Sequence, residues 1–437
     1  MTRKRIAIIG GGFSGVCLAS LLMRAKQSVT LIERGARLGA GLAYGVRDDS
    51  YLLNVRASNM SAFADDPDHF ARWLRARTGQ AGEAFAARKL YGAYMGETLR
   101  RESGAFGRRL KRLRHEVRAC ERLGNAWRIR LASGTLEADA VVLALGHRPP
   151  RNIAAMSDIA VIGAWDRRAL RRVGSGDVLL LGTGLTMVDV ALALARRRRD
   201  RVIHALSRRG LTPRPHLDPP WPRPSDTFDL PLRLCDAVAA FRAEAARLAA
   251  EGEPWQQAME RLRPHTTPLW TRLSPTAQRR FLRHLRPWWD VHRHRMAPEA
   301  AADIAALQTE GRLRIIAGEV IAAEQMKGKV AVEYRRRTSV ARNRLDVAGI
   351  VNCTGGDADL RRSNDPLIVQ LIDAGLARPH ASGLGFDLDD RSRVIDAEGR
   401  PHDDLYALGP LTQGAFWEST AAPDIRVWAS RIAAELC

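Results

Sequence analysis

Short continuous apolar runs recur along the chain. They lie at residues 5–9, 28–32, 140–145, 177–181, 201–206, 350–353 and 404–408. Runs of this length without polar alternation are typical of parallel strands that are buried on both faces. Two of them are followed by apolar helical segments, Val16–Met23 and the stretch ending at Leu194. The pattern therefore predicts an α/β protein with parallel sheets.

Between about residues 211 and 309 this strand pattern stops. A proline-rich connector, 219–224, is followed by predicted helical runs near 232–251, 254–263 and 275–285. We interpret the segment as a helical insertion, plausibly a lid. Within it, 283–295 carries Trp288, Trp289, His292 and His294, which fits a packed helix end or an aromatic anion pocket. Arginine neighbours and the lack of a carboxylate cluster speak against a metal site.

The first apolar run leads directly into a glycine-rich turn. Gly10, Gly12 and Gly15 satisfy the pattern GxGxxG, Phe13 and Ser14 lie within it, and a second strand ends at Glu33, 23 residues after Gly10. In such a unit the glycines allow a tight turn, close approach of a pyrophosphate and close helix packing. The acid accepts hydrogen bonds from a ribose. The complete order of elements predicts a dinucleotide site, although it does not by itself distinguish FAD from NAD.

A second unit of the same kind starts about 170 residues later. The strand 177–181 enters Gly182 and Gly184, with Thr186 in the following helix and Met187 at the third glycine position. The next strand ends in Ser207-Arg208-Arg209 where the first unit has its acid. Arg208 and Arg209 favour a 2′-phosphate, so NADP is preferred over NAD. A relic that binds nothing remains the alternative.

Composition narrows the possible functions. Lys+Arg exceeds Asp+Glu by 69 − 48 = 21, but the arginines are dispersed and no nucleic-acid-binding motif is present. The five cysteines form no CxxC pair, which argues against a disulfide reductase and a zinc site. No apolar run reaches the length of a membrane span. We therefore expect a cytoplasmic protein without a metal, nucleic-acid partner or membrane partner.

Several segments carry a resemblance to a known family. They are 34–45, 52–57, 59–62, 66–70, 206–211, 404–410 with Gly409, and 417–418. On these residues the chain resembles bacterial FAD/NAD(P)-binding proteins related to flavin-dependent N-hydroxylases and flavin monooxygenases, a family with a urate hydroxylase-type member. The resemblance covers essentially the whole chain. Tyr51 and Ala64 depart from the histidine and proline that the family pattern would have there.

The resemblance implies an organisation and a set of cofactor residues. Two Rossmann-like domains are expected: an FAD-binding domain of 1–150 and 350–437, and an NAD(P)-binding-like domain of 175–349 with the insertion. The FAD pyrophosphate and ribityl chain would lie on Arg34, Gly41 and Tyr44. The loop 51–70 would run beside the flavin ring, unless it is simply a surface loop. Further expected contacts are Asn54, Met60, Gly146, Gly409, Trp417, Glu418 and Thr420, with Thr420 as the cap of a closing helix.

The implied activity is that of an FAD-dependent oxidoreductase. The leading hypothesis is an NAD(P)H-dependent monooxygenase that hydroxylates a small molecule with molecular oxygen through a C4a-hydroperoxyflavin. The alternatives are an NAD(P)H-flavin reductase or dehydrogenase without oxygen insertion, and a non-catalytic flavin-binding interaction protein. No residue of the chain is singled out as a catalytic acid, base or nucleophile.

Overall fold

The computed structural model describes residues 4–106, 109–222, 224 and 228–437. Parts of the predicted connector and insertion, residues 223 and 225–227, lie outside the described residues. The strands are β1 (Ile6–Ile9), β2 (Val29–Ile32), β3 (Leu110–Leu113), β4 (Val117–Leu123), β5 (Ala126–Leu131), β6 (Thr135–Ala138), β7 (Ala140–Leu143), β8 (Val161–Gly163), β9 (Val178–Leu181), β10 (Ile203–Ser207), β11 (Leu313–Met326), β12 (Lys329–Arg336), β13 (Arg342–Val347), β14 (Gly349–Asn352), β15 (Arg393–Ile395) and β16 (Pro401–Ala407).

Helices connect and cover these strands. They are α1 (Phe13–Arg24), α2 (Gly41–Tyr44), α3 (His69–Thr78), α4 (Arg88–Ala105), α5 (Arg167–Arg172), α6 (Leu185–Arg197), α7 (Leu234–Ala250), α8 (Trp255–Leu262), α9 (Thr266–Arg272), α10 (Pro275–Arg280), α11 (Arg286–Arg293), α12 (Pro298–Thr309), α13 (Pro366–Asp373), α14 (Gln413–Phe416) and α15 (Ala422–Leu436).

The first sheet has the order β15-β16-β7-β1-β2-β3. All its pairings are parallel except that of the edge strand β15 with β16. The central strands β1 and β7 are completely buried, which explains why both read as continuous apolar runs. Helices α1, α4 and α15 pack beside this sheet, and an antiparallel meander of β4, β5 and β6 is attached to it.

The second sheet has the order β13-β12-β11-β10-β9-β14-β8. Neighbouring strands pair in parallel through the five strands β11, β10, β9, β14 and β8. Strands β12 and β13 extend the sheet beyond β11 as an antiparallel hairpin. Because β14 belongs to this sheet, the predicted domain boundary at residue 350 falls inside a strand of the second sheet. The predicted α/β class with two Rossmann-like sheets is confirmed.

Helices α7 to α11 lie between β10 and β11. The next helix, α12, packs on α6 and forms the crossover from β10 to β11 within the second sheet. The segment predicted as an insertion, about 211–309, thus ends in a helix that belongs with the sheet. The sequence did not separate α12 because a crossover helix and an inserted helix have the same local pattern.

One buried ion pair joins the helices of the two sheets. Arg88, at the start of α4, lies 3.0 Å from Asp189 in α6. Burial raises the pKa of Asp189 to about 6, although Arg88 opposes the shift. Removing one partner of such a pair would leave a buried charge without compensation, so the contact fixes how α4 and α6 meet.

Candidate functional site

The first glycine-rich turn contains glycines of two different kinds. A Cβ on Gly10, whose φ is +109°, would lie 2.2 Å from the carbonyl oxygen of Ala144, and a Cβ on Gly15 would lie 1.9 Å from that of Gly10. These two glycines are required by the packing of the protein itself. A Cβ on Gly12 would meet only the Cα of Gly41, at an ordinary 3.6 Å. The space beside Gly12 is therefore open to a ligand.

Gly12 is also the N-cap residue of α1. No side chain caps this helix, and its first turn holds no acidic residue. The amide groups of the first turn therefore keep their hydrogen-bonding capacity and the positive end of the helix dipole. This arrangement suits a pyrophosphate. The ring of Phe13 contacts that of Tyr44 edge to face, and both rings contact the buried Tyr91. Burial raises the pKa of Tyr44 to about 12.

Glu33 lies at the carboxyl end of β2, as the spacing predicts. One of its carboxylate oxygens accepts a hydrogen bond from the Gly11 amide at 2.7 Å, and the other accepts one from the Gly35 amide at 2.6 Å. Each oxygen keeps a further lone pair for a ribose hydroxyl. Glu33 thus supports the glycine turn as well as the predicted ribose position. Arg34, next to it, is exposed.

The carboxyl-terminal motif meets this turn directly. Gly409 follows β16 and has a φ of +83°, and a Cβ on it would lie 2.7 Å from the hydroxyl oxygen of Ser14. The meeting follows from the strand order, because β16 lies beside β7 and β7 lies beside β1. Gly146, after β7, has a φ of +72° with no atom near its missing Cβ. The two ends of the chain therefore form one candidate site.

The loop predicted to lie beside the flavin ring is held in place from three sides. The Cys17 thiol contacts the Ala62 carbonyl oxygen at 3.2 Å, and Arg426 of α15 donates to the Ser61 carbonyl at 3.1 Å. On the insertion side, His216 Nε2 lies 2.9 Å from the Asn54 carbonyl oxygen. Met60 is buried. The loop thus lies between α1, α15 and the connector to the insertion.

Trp417 and Glu418 join the same region to the inserted helices. Trp417 is buried and stacks on Trp270 of α9, with ring centroids 4.8 Å apart. Glu418 forms a buried ion pair with Arg293 of α11 at 2.7 Å. Both side chains therefore contact the insertion, which a linear motif cannot show.

The prediction that Thr420 caps the closing helix is wrong. The N-cap residue of α15 is Ala421, and no side chain accepts a hydrogen bond there. The helix begins at Ala422, one residue later than the pattern suggests, so Thr420 precedes the cap position. Pro423 still lies within the first turn, where a missing amide hydrogen costs nothing.

The second glycine turn repeats the division found in the first. A Cβ on Gly182, whose φ is +100°, would lie 2.7 Å from the Cys353 carbonyl oxygen, whereas no atom lies within 4 Å of a Cβ on Gly184. Gly184 is the uncapped N-cap residue of α6, and Thr186 is half-buried in the first turn. Met187, at the third glycine position, is completely buried. In the second turn, as in the first, one glycine (Gly182) is required by the packing of the protein and another (Gly184) leaves space for a ligand.

A strongly basic cavity of about 650 Å³ lies at the end of β10. Its wall includes Arg208 and Arg209, and no carboxylate pairs with either of them in the described part of the chain. The same cavity is lined by four arginines that the sequence does not assign to this site: Arg283, Arg335, Arg336 and Arg337. Glu319 pairs with Arg335 and is the only acidic residue among the described lining residues. Such a surface suits a phosphate group.

A polar cavity of about 420 Å³ lies between the loop of Asn54 and the inserted helices. Glu260 and Arg295 form a buried ion pair on its wall. Burial alone would raise the pKa of Glu260, but the Arg295 guanidinium lowers it below its ordinary value. Two mostly buried side chains in this wall, Gln256 and Arg295, each have a polar atom without a partner among the described residues. The cavity therefore has hydrogen-bonding capacity for a polar ligand.

Asp424, in the first turn of α15, borders the same region. Its carboxylate lies 3.3 Å from Arg263. Burial raises the pKa of Asp424, and the neighbouring Glu418 carboxylate adds to that shift. The described residues contain no cluster of three or more His, Cys, Asp or Glu residues suited to a metal ion. They also contain no helix that is long and apolar enough to cross a membrane.

Comparison with known proteins supports the cofactor class and the fold. A family model described as FAD-NAD(P)-binding matches residues 7–148, which confirms the resemblance and the cofactor class predicted from the first glycine turn. No curated protein sequence matches the chain.

Many solved structures resemble the whole chain, and three of them illustrate the likeness. An ornithine N-hydroxylase from Kutzneria sp. 744 has 16% identity and a TM-score of 0.67 over 99% of both chains. L-lysine 6-monooxygenase from Pseudomonas syringae has 19% identity and a TM-score of 0.70 over 99% of both chains. A cadaverine monooxygenase from Erwinia amylovora, determined with FAD, has 12% identity and a TM-score of 0.70 over 100% of this chain and 95% of that chain. At these identities the likeness establishes the fold.

Proposed function

We propose that this protein is an FAD-dependent NAD(P)H oxidoreductase of the monooxygenase type that hydroxylates a small polar molecule. The observation that carries the proposal is the pair of glycine turns, each with one residue, Gly12 or Gly184, left open beside an uncapped helix N-terminus. A chain that binds both FAD and NAD(P)H can pass a hydride from one to the other.

In this proposal the chain's own residues bind and orient the reactants. The first turns of α1 and α6 hold the two pyrophosphates, and Glu33 holds the ribose of FAD. Arg208 and Arg209 hold the 2′-phosphate of NADPH, which makes NADPH the preferred reductant over NADH. Bound FAD would supply the redox chemistry: it would take a hydride from NADPH, and one atom of molecular oxygen would pass to the substrate while the other leaves as water.

The polar cavity beside Asn54 is the proposed place for the small-molecule substrate. It lies between the loop of Met60, the N-terminus of α15 and the inserted helices. The dipole of α15 would stabilise negative charge on a reduced flavin next to it. The fold likeness to N-hydroxylating monooxygenases supports the reaction class, since those proteins are named for oxidation of ornithine, lysine and cadaverine.

Disulfide reduction finds no support in the chain. Cys17, Cys120 and Cys353 are buried and Cys235 and Cys437 are exposed, and all five are free. Burial raises the pKa of Cys17 and that of Cys120 to about 12, so both stay protonated near neutral pH. Electrons from the flavin therefore have no dithiol partner within the chain.

Mixing oxygen with the protein whose bound FAD has been reduced distinguishes a monooxygenase from a simple reductase. Absorption spectra recorded during rapid mixing should show a transient flavin species whose spectrum differs from those of both reduced and oxidised flavin. The spectrum of oxidised flavin should return only after this species decays. The alternative result is direct conversion of reduced to oxidised flavin, with one hydrogen peroxide formed per flavin oxidised whichever candidate substrate is added. This result would identify an NAD(P)H-flavin oxidoreductase without oxygen insertion.

A further inference from the structure

The inserted helices and Trp417 line a second cavity, separate from the polar one and partly open to solvent, with a volume of about 530 Å³. This volume lies within the range of small-molecule sites, which is roughly 300–1,000 Å³. Five of the ten tryptophans of the chain line it, among them Trp255, Trp270, Trp289 and Trp417. We define these walls as the tryptophan cavity.

Several polar atoms of this wall are satisfied by the protein itself. Trp270 Nε1 donates to the Gly414 carbonyl oxygen at 2.6 Å, and the Thr266 hydroxyl donates to the Arg263 carbonyl oxygen at 2.9 Å. His292 Nδ1 lies 2.8 Å from the Trp288 carbonyl oxygen. These contacts occupy the indole N–H of Trp270, the hydroxyl hydrogen of Thr266 and Nδ1 of His292.

Trp289 combines burial with a donor that lacks a partner. Its indole Nε1 is buried and has no hydrogen-bond partner among the described residues. A buried donor without an acceptor destabilises the fold, so such groups usually mark the place of a missing partner. The π-helical turn Phe281–Leu285, immediately before α11, contributes Phe281 and Leu285 to the same wall. Turns of this kind are frequent at binding sites.

From these observations we infer that the tryptophan cavity binds a planar aromatic small molecule that carries one hydrogen-bond acceptor. The aromatic walls stack on the ligand ring, and Trp289 Nε1 donates to its acceptor atom. The inference does not depend on the proposed function, because binding requires no turnover. Through Trp417 the cavity contacts the loop that leads to α15.

Two fused-ring probes of the same shape test the inference. Quinoline has a ring nitrogen that accepts a hydrogen bond, and naphthalene has none. Equilibrium dialysis with the FAD-loaded protein should show saturable binding of both. Trp289→Phe keeps an aromatic face but removes the donor, so it should weaken quinoline about fivefold, the effect of one net hydrogen bond, and leave naphthalene within about twofold. Equal changes for both probes, or no saturable binding, would overturn the inference.

A cavity-filling variant tests the location. Val238 lines the cavity on α7, whereas its neighbour Ala239 is exposed on the same helix. Val238→Trp should reduce the affinity for both probes more than about tenfold while Ala239→Trp leaves it unchanged. The melting temperature and FAD content of both variants establish that they are folded. Equal affinity in the two folded variants would place the bound probe outside the cavity and contradict the inference.

Discussion

Replacing Gly12 or Gly184 by valine should separate the two nucleotide sites. Both residues are N-caps with extended backbone, φ −72° and ψ −163° for Gly12 and φ −81° and ψ −168° for Gly184. Valine adopts such a conformation without strain. Because a Cβ at either position meets no atom of the protein closer than 3.6 Å, the fold should tolerate both changes.

Binding of FAD and NADPH, in contrast, should be weakened by these two substitutions. A branched side chain on Gly12 occupies the space where the backbone would approach the FAD pyrophosphate. Loss of two charge-assisted hydrogen bonds, each worth about 1.5–3 kcal/mol, costs about 3 kcal/mol or more, which weakens FAD binding more than about a hundredfold. Gly184→Val should retain FAD and lose reduction by NADPH to a similar degree.

FAD titration of the apoprotein, followed by anaerobic reduction with NADPH, measures both effects. Gly104→Val is the matched control, because Gly104 is exposed on α4 and no atom lies within 4 Å of a Cβ there. It should leave both affinities unchanged. Full FAD affinity in folded Gly12→Val protein, or loss of FAD in Gly184→Val protein alone, would refute the assignment of the two turns.

Three further predictions follow from single contacts. Glu33→Ala should weaken FAD in a titration without changing the NADPH/NADH ratio of kcat/KM, since it removes the acceptor of the ribose and of two backbone amides. Arg208→Ala/Arg209→Ala should raise the KM for NADPH at least about tenfold and leave that for NADH nearly unchanged, because only NADPH has a 2′-phosphate. Burial lowers the pKa of His216 from 6.5 to about 4, so the fold favours neutral His216. Its contribution to the free energy of unfolding is complete above pH 6.5 and is lost as the pH falls towards 4, by about 2 kcal/mol between pH 7 and 5. Urea unfolding at the two pH values should show a smaller loss of free energy of unfolding in His216→Gln.

Contradicting outcomes are equally specific for these three. A changed coenzyme ratio with unchanged FAD affinity in Glu33→Ala would mean that the two nucleotide sites are reversed. Equal, small changes in the KM for NADPH and the KM for NADH in Arg208→Ala/Arg209→Ala would show that these arginines do not bind the 2′-phosphate. An identical pH dependence of unfolding in His216→Gln and the unmodified protein would show that His216 titrates normally in the fold.

The sequence predicts best those parts of the site that are local in the chain. The turns of Gly10–Gly15 and Gly182–Gly184 each lie within one βαβ unit, so spacing alone identifies them. Glu33 is likewise fixed by its distance from Gly10. Its hydrogen bonds to the Gly11 and Gly35 amides are short-range consequences of the same unit.

The sequence misses contacts between distant segments. Arg335, Arg336 and Arg337 reach the cavity of Arg208 only because β12 pairs with β11 and β11 pairs with β10. The stacking of Trp417 on Trp270 depends on how the inserted helices pack, which no local pattern encodes. Single-residue details at helix ends are also beyond it, as the cap of α15 demonstrates.

Anaerobic reduction of the FAD-loaded protein by NADPH tests the central claim most directly. If the two turns bind FAD and NADPH as proposed, mixing them without oxygen should bleach the visible flavin absorption in a single saturable phase. NADH should give the same reduction at higher concentration. A flavin that binds in near-equal ratio to the protein but stays oxidised with both coenzymes would contradict the account and leave a non-catalytic flavin-binding protein.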